Sequence, residues 1–97
     1  MTNLEIQIQL WHDNTFGPDV DLPKTYRKLL EEIGELGQAL IEKNWTSVHE
    51  EVGDCALVLA HIIRSACPDK PSLFSAMTSA LDKCESRRYE HSKRVGK

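Results

Sequence analysis

Residues 31–54 carry seven acids, Glu31, Glu32, Glu35, Glu42, Glu50, Glu51 and Asp54, against one lysine, Lys43. The acids are arranged rather than scattered. Glu32-Ile33-Gly34-Glu35 and Glu51-Val52-Gly53-Asp54 repeat one plan, a pair of carboxylates three residues apart. On a helix that spacing makes the two side chains neighbours on one face, about 5–6 Å apart at Cβ. If the chain turns near Asn44-Trp45, the first pair stands roughly 16 Å from the turn and the second roughly 12 Å, at about 1.5 Å per residue. An offset of about 4 Å between two antiparallel helices is within reach of glutamate side chains, so four carboxylates can converge.

Four like charges at close quarters cannot all stay ionised without compensation. Asp54 carries a further cost, because 52–63 is the most apolar stretch of the chain and Asp54 is its one formal charge. A buried lone carboxylate neutralises or finds a cation. Magnesium answers both difficulties: it is hard, seeks oxygen, and keeps waters for a phosphate ligand when carboxylates hold it. Taken alone, Glu31, Glu32 and Glu35 would pass for the solvated face of an amphipathic helix; the matching pair on an apolar helix argues against that. Gly34 and Gly53, each costing about 1 kcal/mol against alanine inside a helix, hold corresponding places and imply a close approach of two backbones.

Other metal chemistries fail on paper. A di-iron bundle needs Glu-x-x-His, but the residues three before His12, His49, His61 and His91 are Gln9, Thr46, Val58 and Arg88. The zinc-protease pattern begins at His49-Glu50, yet Gly53 stands where its second histidine belongs. There is no glycine-rich phosphate loop.

The elements that must position these acids follow from periodicity and punctuation. Leu4 to Phe16 fits a strand's alternation as well as a helical stripe of Leu4, Ile8 and Trp11; with no strand partner elsewhere, and Thr2 with Glu5 as a capping box, it reads as helix. Pro23 after Asp21 opens a second helix. Tyr26, Leu29, Leu30, Ile33, Leu36, Leu40 and Ile41 fall in one arc, opposite Lys28, Glu31, Glu32, Glu35 and Gln38, as far as about Lys43-Asn44. Ser47 with Glu50 reads as the capping box of a third helix, apolar nearly all round and therefore buried, which Pro68 stops. A fourth helix is expected from about Ser72 to beyond Tyr89, with Leu73, Met77, Ala80, Leu81 and Cys84 as its apolar side. Four helices with short connections make an all-α four-helix bundle.

Composition sets the bounds. Ninety-seven residues, 40% hydrophobic and 28% charged, suit a single domain over 1–97, with 92–97 as a frayed tail. Nothing approaches about eighteen consecutive apolar residues, so no membrane span is expected, and the first residues do not read as a signal peptide. Net charge −3 argues against a surface built for nucleic acid. Cys55, Cys67 and Cys84 form no Cys-x-x-Cys pair, which points to a reducing, cytoplasmic setting. A chain this short buries only about 60–65% of its unfolded surface, so burial between subunits would help it.

Glu-Glu-Ile-Gly-Glu-Leu at 31–36, followed by Glu-Glu-Val-Gly-Asp at 50–54, resembles the MazG-like superfamily of all-α nucleoside triphosphate pyrophosphohydrolases, whose hallmark is Glu-x-x-Glu, a spacer, then Glu-x-x-Asp. Trp11-His-Asp-Asn-Thr-Phe16, Leu81-Asp-Lys83 and Arg87-Arg88-Tyr89 are similar to that family as well. The resemblance implies magnesium-dependent hydrolysis of a nucleotide between its α and β phosphates, releasing monophosphate and pyrophosphate. It also implies an intertwined homo-oligomer, a dimer or a tetramer built from dimers. Carried over by position, the metal ligands would be Glu32, Glu35, Glu51 and Asp54.

Physical roles can be set beside these. Glu31 and Glu50 flank the quartet, where either could orient or deprotonate an attacking water, and a solvated outer role fits them equally. Six of the twelve Lys and Arg residues lie in the last fifteen positions. Lys28, Lys83 and one of Arg87 or Arg88 are candidates to hold the β and γ phosphates, set against the ordinary use of basic residues at a helix C-terminus. Trp11 is a candidate to stack on the base, although core packing is the commoner fate of a tryptophan on a helical stripe. His12 and His61 read as ordinary packing or surface histidines. Nucleoside triphosphates are thus the expected substrates, with cleansing of the nucleotide pool as the role. The alternatives are a non-catalytic helical interaction or regulatory module that keeps the acidic cluster, and a hydrolase of another phosphoanhydride such as a phosphoribosyl nucleotide.

Overall fold

The structure, a computed structural model, describes residues 3–17 and 20–94, with side chains described through 88 and at 90. Among these residues four helices run in order: α1 Asn3–Phe16, α2 Leu22–Glu42, α3 Trp45–Ala66 and α4 Leu73–Arg94. No strand occurs among the described residues, so the alternation at the start of the chain yields to helix. Residues 92–94, read as the start of a tail, continue α4, while 95–97 and Thr2 of the expected first capping box lie outside the described residues. No helix among the described residues is long and apolar enough to cross a membrane.

The α2–α3 hairpin is the organising unit, and its ends are written in short-range chemistry. Asp21 caps α2, its carboxylate accepting the Lys24 N–H at 3.1 Å, with Pro23 in the first turn, where its missing N–H costs nothing. At the other end Lys43 adopts φ 55°, the left-handed region. The Lys43 N–H then reaches Leu40 O at 3.2 Å and the Asn44 N–H reaches Ala39 O at 3.1 Å, the paired bonds of a Schellman motif. Asn44 at once begins the next helix, its side-chain oxygen accepting the Ser47 N–H at 3.2 Å. This corrects the expected cap. Ser47 lies inside α3 and donates its N–H to the Asn44 side chain, because the Schellman end of α2 delivers the chain to Asn44 at φ −88° and ψ 89°, outside the helical region.

α1 docks on α3 through polar groups as well as through ring contacts. His12, 4% exposed, lies between Asp13 Oδ1 at 3.0 Å from Nδ1 and Ser65 Oγ at 3.0 Å from Nε2. A proton donated from Nδ1 to the carboxylate leaves Nε2 to accept the serine hydroxyl. Arg64 reaches Asp13 Oδ2 at 3.3 Å, and His12 and Arg64 together hold the Asp13 carboxyl below its usual range. Glu5, also buried, accepts the hydroxyl of Ser72, which in turn accepts the Ser75 N–H and opens α4.

The apolar core of a single chain is thin: among the described residues Leu29, Ala39, Cys55 and Ala60 are the buried hydrophobic ones. The expectation that α3 is buried on every side is not met, since Val52, Leu57 and Leu59 are exposed. Among the described residues α2 covers one face of α3, α1 part of another and α4 a little more, which leaves the rest open. α4 leans on α3 near its own start, and Met77, Leu81 and Cys84 of its expected apolar side are exposed. The accessible surface is 7512 Å², whereas a compact monomer of 11.0 kDa exposes about 5,600 Å². Gly34 and Gly53 likewise depart from expectation: a Cβ at either would meet nothing within 4 Å, so no backbone among the described residues approaches them closely.

The cap assignment has a direct test in urea unfolding at fixed protein concentration. Asn44→Ala is expected to cost about 1 kcal/mol through loss of the α3 cap. Ser47→Ala, whose side chain caps nothing, stays within about 0.5 kcal/mol of the parent.

Candidate active site

The hairpin brings three of the four expected ligands together. One carboxylate oxygen from each of Glu32, Glu35 and Glu51 lies within 4.8 Å of the others. Glu32 and Glu35 share a face of α2 as neighbours one turn apart, and Glu51 faces them from α3. Glu32 is 7% exposed, Glu51 half-buried and Glu35 exposed, so the cluster opens outward from a buried floor.

Asp54 is not in the group and is exposed, against the expectation of a buried carboxylate. The reason is the phase of α3. Cys55, four residues beyond Glu51, takes the buried position against α2, which turns Asp54 about 100° to the side.

Charge balance inside the cluster is uneven. Lys28, one turn before Glu32, places Nζ 3.1 Å from Glu32 Oε1 and 3.6 Å from Glu31 Oε2. That contact holds the Glu32 carboxyl below its ordinary range. Glu51 has no such partner. Burial, with the Glu32 and Glu35 carboxyls beside it, pushes its pKa up to about 7. Two buried oxygens, Glu32 Oε2 and Glu51 Oε2, have no hydrogen-bond partner. An all-oxygen donor set containing two such orphans, on helices that face each other, fits a hard divalent cation. The same surroundings, burial first and the acids second, push the neighbouring Cys55 thiol up, which keeps it protonated and inert.

Beside the cluster lies a cleft of about 460 Å³, lined by Trp11 and Phe16 of α1, Lys24 and Lys28 of α2, and Val58 and His61 of α3. Its aromatic wall is continuous. Trp11 stands edge-on to Phe16 at 5.6 Å between centroids, Phe16 lies 4.1 Å from His61, and His61 lies 4.4 Å from His12. His61 is buried with Nδ1 unpartnered, and that burial pushes its pKa down, so the ring is neutral at pH 7. Both the volume and the mixture of apolar wall with a few polar groups suit a small organic ligand. Sequence reading reached Trp11 and Lys28, favoured an ordinary packing role for His61 over substrate contact, and missed Lys24. For Lys24 a signal existed, since it precedes Lys28 by one turn. His61 enters the cleft by tertiary packing against α1, which no local pattern reports.

The remaining candidates are spread more widely. Glu31 and Glu50 are exposed, Glu31 within reach of Lys28 and Glu50 outside the three-carboxylate group. Lys83, Arg87 and Arg88 stand exposed on α4 and make no ion pair among the described residues. The side chains of Tyr89, Lys93 and Arg94 lie outside those described.

The raised pKa of Glu51 sets a pH dependence. Between its ordinary value of 4.5 and about 7 the folded chain holds a proton that the unfolded chain has released, so stability falls as pH rises across that interval. His61, shifted the other way, contributes with opposite sign below its ordinary 6.5. Subtracting the melting-temperature profile of Glu51→Gln from that of the parent, both in chelator, isolates Glu51. The difference is expected to slope downward from pH 4.5 to 7 and to flatten above.

Neither the curated proteins nor the solved structures yield a match to this chain. A family profile for the MazG nucleotide pyrophosphohydrolase domain matches residues 22–92, the stretch that holds α2, α3, most of α4 and all three clustered carboxylates. The carboxylate hairpin and that match agree, and the chain belongs to the MazG family of nucleotide pyrophosphohydrolases, helical hydrolases that act on phosphoric anhydrides.

Proposed function

We propose that the protein is a magnesium-dependent pyrophosphohydrolase that cleaves nucleoside and deoxynucleoside triphosphates between the α and β phosphates, yielding monophosphate and pyrophosphate. The observation that carries this reading is the pair of buried, unpartnered oxygens, Glu32 Oε2 and Glu51 Oε2, inside a three-carboxylate group that opens beside an aromatic cleft. A triphosphate brings about four negative charges and cannot approach such a group without divalent cations between them.

Glu32, Glu35 and Glu51 are the residues that would hold magnesium, with Asp54 as a fourth after its exposed side chain turns inward. When bound, magnesium supplies charge neutralisation, polarisation of a phosphoryl oxygen and a more acidic water. The chain's own residues do the rest. Trp11 and Phe16 offer the base a face to stack on. Lys28 and Lys24 place positive charge at the mouth of the cleft for phosphate oxygens. Glu31 and Glu50, both exposed, are assigned to orient or deprotonate the attacking water. Lys83, Arg87 and Arg88 are assigned to the phosphates across the boundary of a homo-oligomer, whose second copy covers the apolar faces left open on α2 and α3. The role is cleansing of a cytoplasmic nucleotide pool, in keeping with three free cysteines.

Product analysis on a panel of nucleotides tests the reading. Monophosphate plus pyrophosphate is expected, and diphosphate plus phosphate would overturn it. Turnover confined to phosphoribosyl nucleotides would move the substrate class, and a chain that binds magnesium without any turnover would be a binding module. Chelation is expected to abolish activity. Glu35→Gln is expected to lower kcat by about 100-fold or more while the circular dichroism and the melting temperature stay close to the parent's, since Glu35 is exposed.

A further inference from the structure

Lys28 belongs to two places at once. Its ammonium stands against Glu32 Oε1 at 3.1 Å and Glu31 Oε2 at 3.6 Å, and its side chain also lines the aromatic cleft. Among the described residues it is the one base paired with the carboxylate group. The carboxyl it grips is the one whose other oxygen is buried and unpartnered, so the lysine neutralises Glu32 while leaving it half unsatisfied. The side chain is 57% exposed, and a flexible four-carbon stem lets it turn without moving the backbone.

A divalent cation entering the carboxylates competes with this ammonium for Glu32 and repels it across a few ångströms. The cleft is the open direction for the displaced side chain, and a phosphate chain there restores the partner it has lost. We infer that Lys28 is an exchangeable counter-ion: it occupies Glu32 in the cation-free protein, yields that carboxylate to a divalent cation, and passes to the substrate's phosphates. This rests on the proposed metal and nucleotide site and adds a coupling to it. Cation and nucleotide strengthen one another's binding through one side chain, and by linkage the effect is equal in both directions. Lys28 is thus a positioning residue whose contribution differs between the empty and loaded states.

The test compares the full chain with Lys28→Met and Lys28→Arg, both of which keep helix propensity and a long side chain. Isothermal titration with magnesium alone is expected to give about three- to fivefold tighter binding to Lys28→Met, the scale of one surface ion pair removed as competitor. Titration with inorganic tripolyphosphate at saturating magnesium is expected to give about tenfold weaker binding to the same variant, the loss of one charge-assisted hydrogen bond. Lys28→Arg should stay near the parent in both. Unchanged or weaker magnesium binding by Lys28→Met overturns the exchange, because a lysine that merely braces Glu32 would leave the site poorer when removed. Should the parent chain bind magnesium and release pyrophosphate while Lys28→Met fails to tighten, the exchange alone falls. A parent chain that neither binds magnesium nor releases pyrophosphate brings down the functional reading with it.

Discussion

The fold is organised around a repulsion. Glu32, Glu35 and Glu51 are held close enough to share one small volume, and two of their oxygens are buried without a partner. Burying carboxylates in this way works against folding, since unpaired buried polar groups cost on the order of 1–3 kcal/mol each. The surrounding structure meets the cost in three ways. Lys28 neutralises Glu32 from the preceding turn, Glu51 holds a proton up to about pH 7, and the outer member, Glu35, stays in water. Two long helices joined almost without a loop then keep the group from relaxing apart. Carboxylates crowded in this way offer a divalent cation an all-oxygen donor set.

The same economy shows in the rest of the chain. The helices bury few apolar side chains among themselves, and polar pairs do part of the work that a larger core would do, as at His12, Ser65, Asp13 and Arg64 between α1 and α3. Exposed Leu30, Ile33, Leu40 and Ile41 on α2 lie in the same arc as the buried Leu29, so the apolar stripe of that helix is wider than the cover α3 gives it. A stripe broader than its partner is ordinary in a protein that finishes its core against another chain, which is the assembly the proposed function calls for.

Much of this was legible in the residues, and the boundary of legibility has a physical cause. Helical period, Pro23 after Asp21 and the Glu-x-x-Glu and Glu-x-x-Asp pairs are local signals, and the helices and the convergence of Glu32, Glu35 and Glu51 follow from them. The α3 cap, expected at Ser47, lies at Asn44, a residue type that also suits the position; the hydrogen bonds ending α2 decide it. The place of Asp54 depends on the rotation of α3 about its own axis, which Cys55 fixes by packing on α2, and the cleft depends on α1 folding back to set Trp11 and Phe16 against His61. The inferred close approach at Gly34 and Gly53 went beyond the sequence in another way, since a small residue permits an approach without specifying one.

Only Lys43 and Asn44 separate α2 from α3, and both are fully committed, one to a left-handed backbone and the other to a cap. Surface connections usually absorb inserted or deleted residues with little effect. This one has no slack to do so. One more residue must either undo both helix ends or be wound into α3, and winding it in would swing Glu51 around the axis by about 100°, out of the group. In this hairpin, then, length holds the carboxylate group together as much as the identity of the acids does, and indels at the tip belong with changes to that group rather than with loop variation.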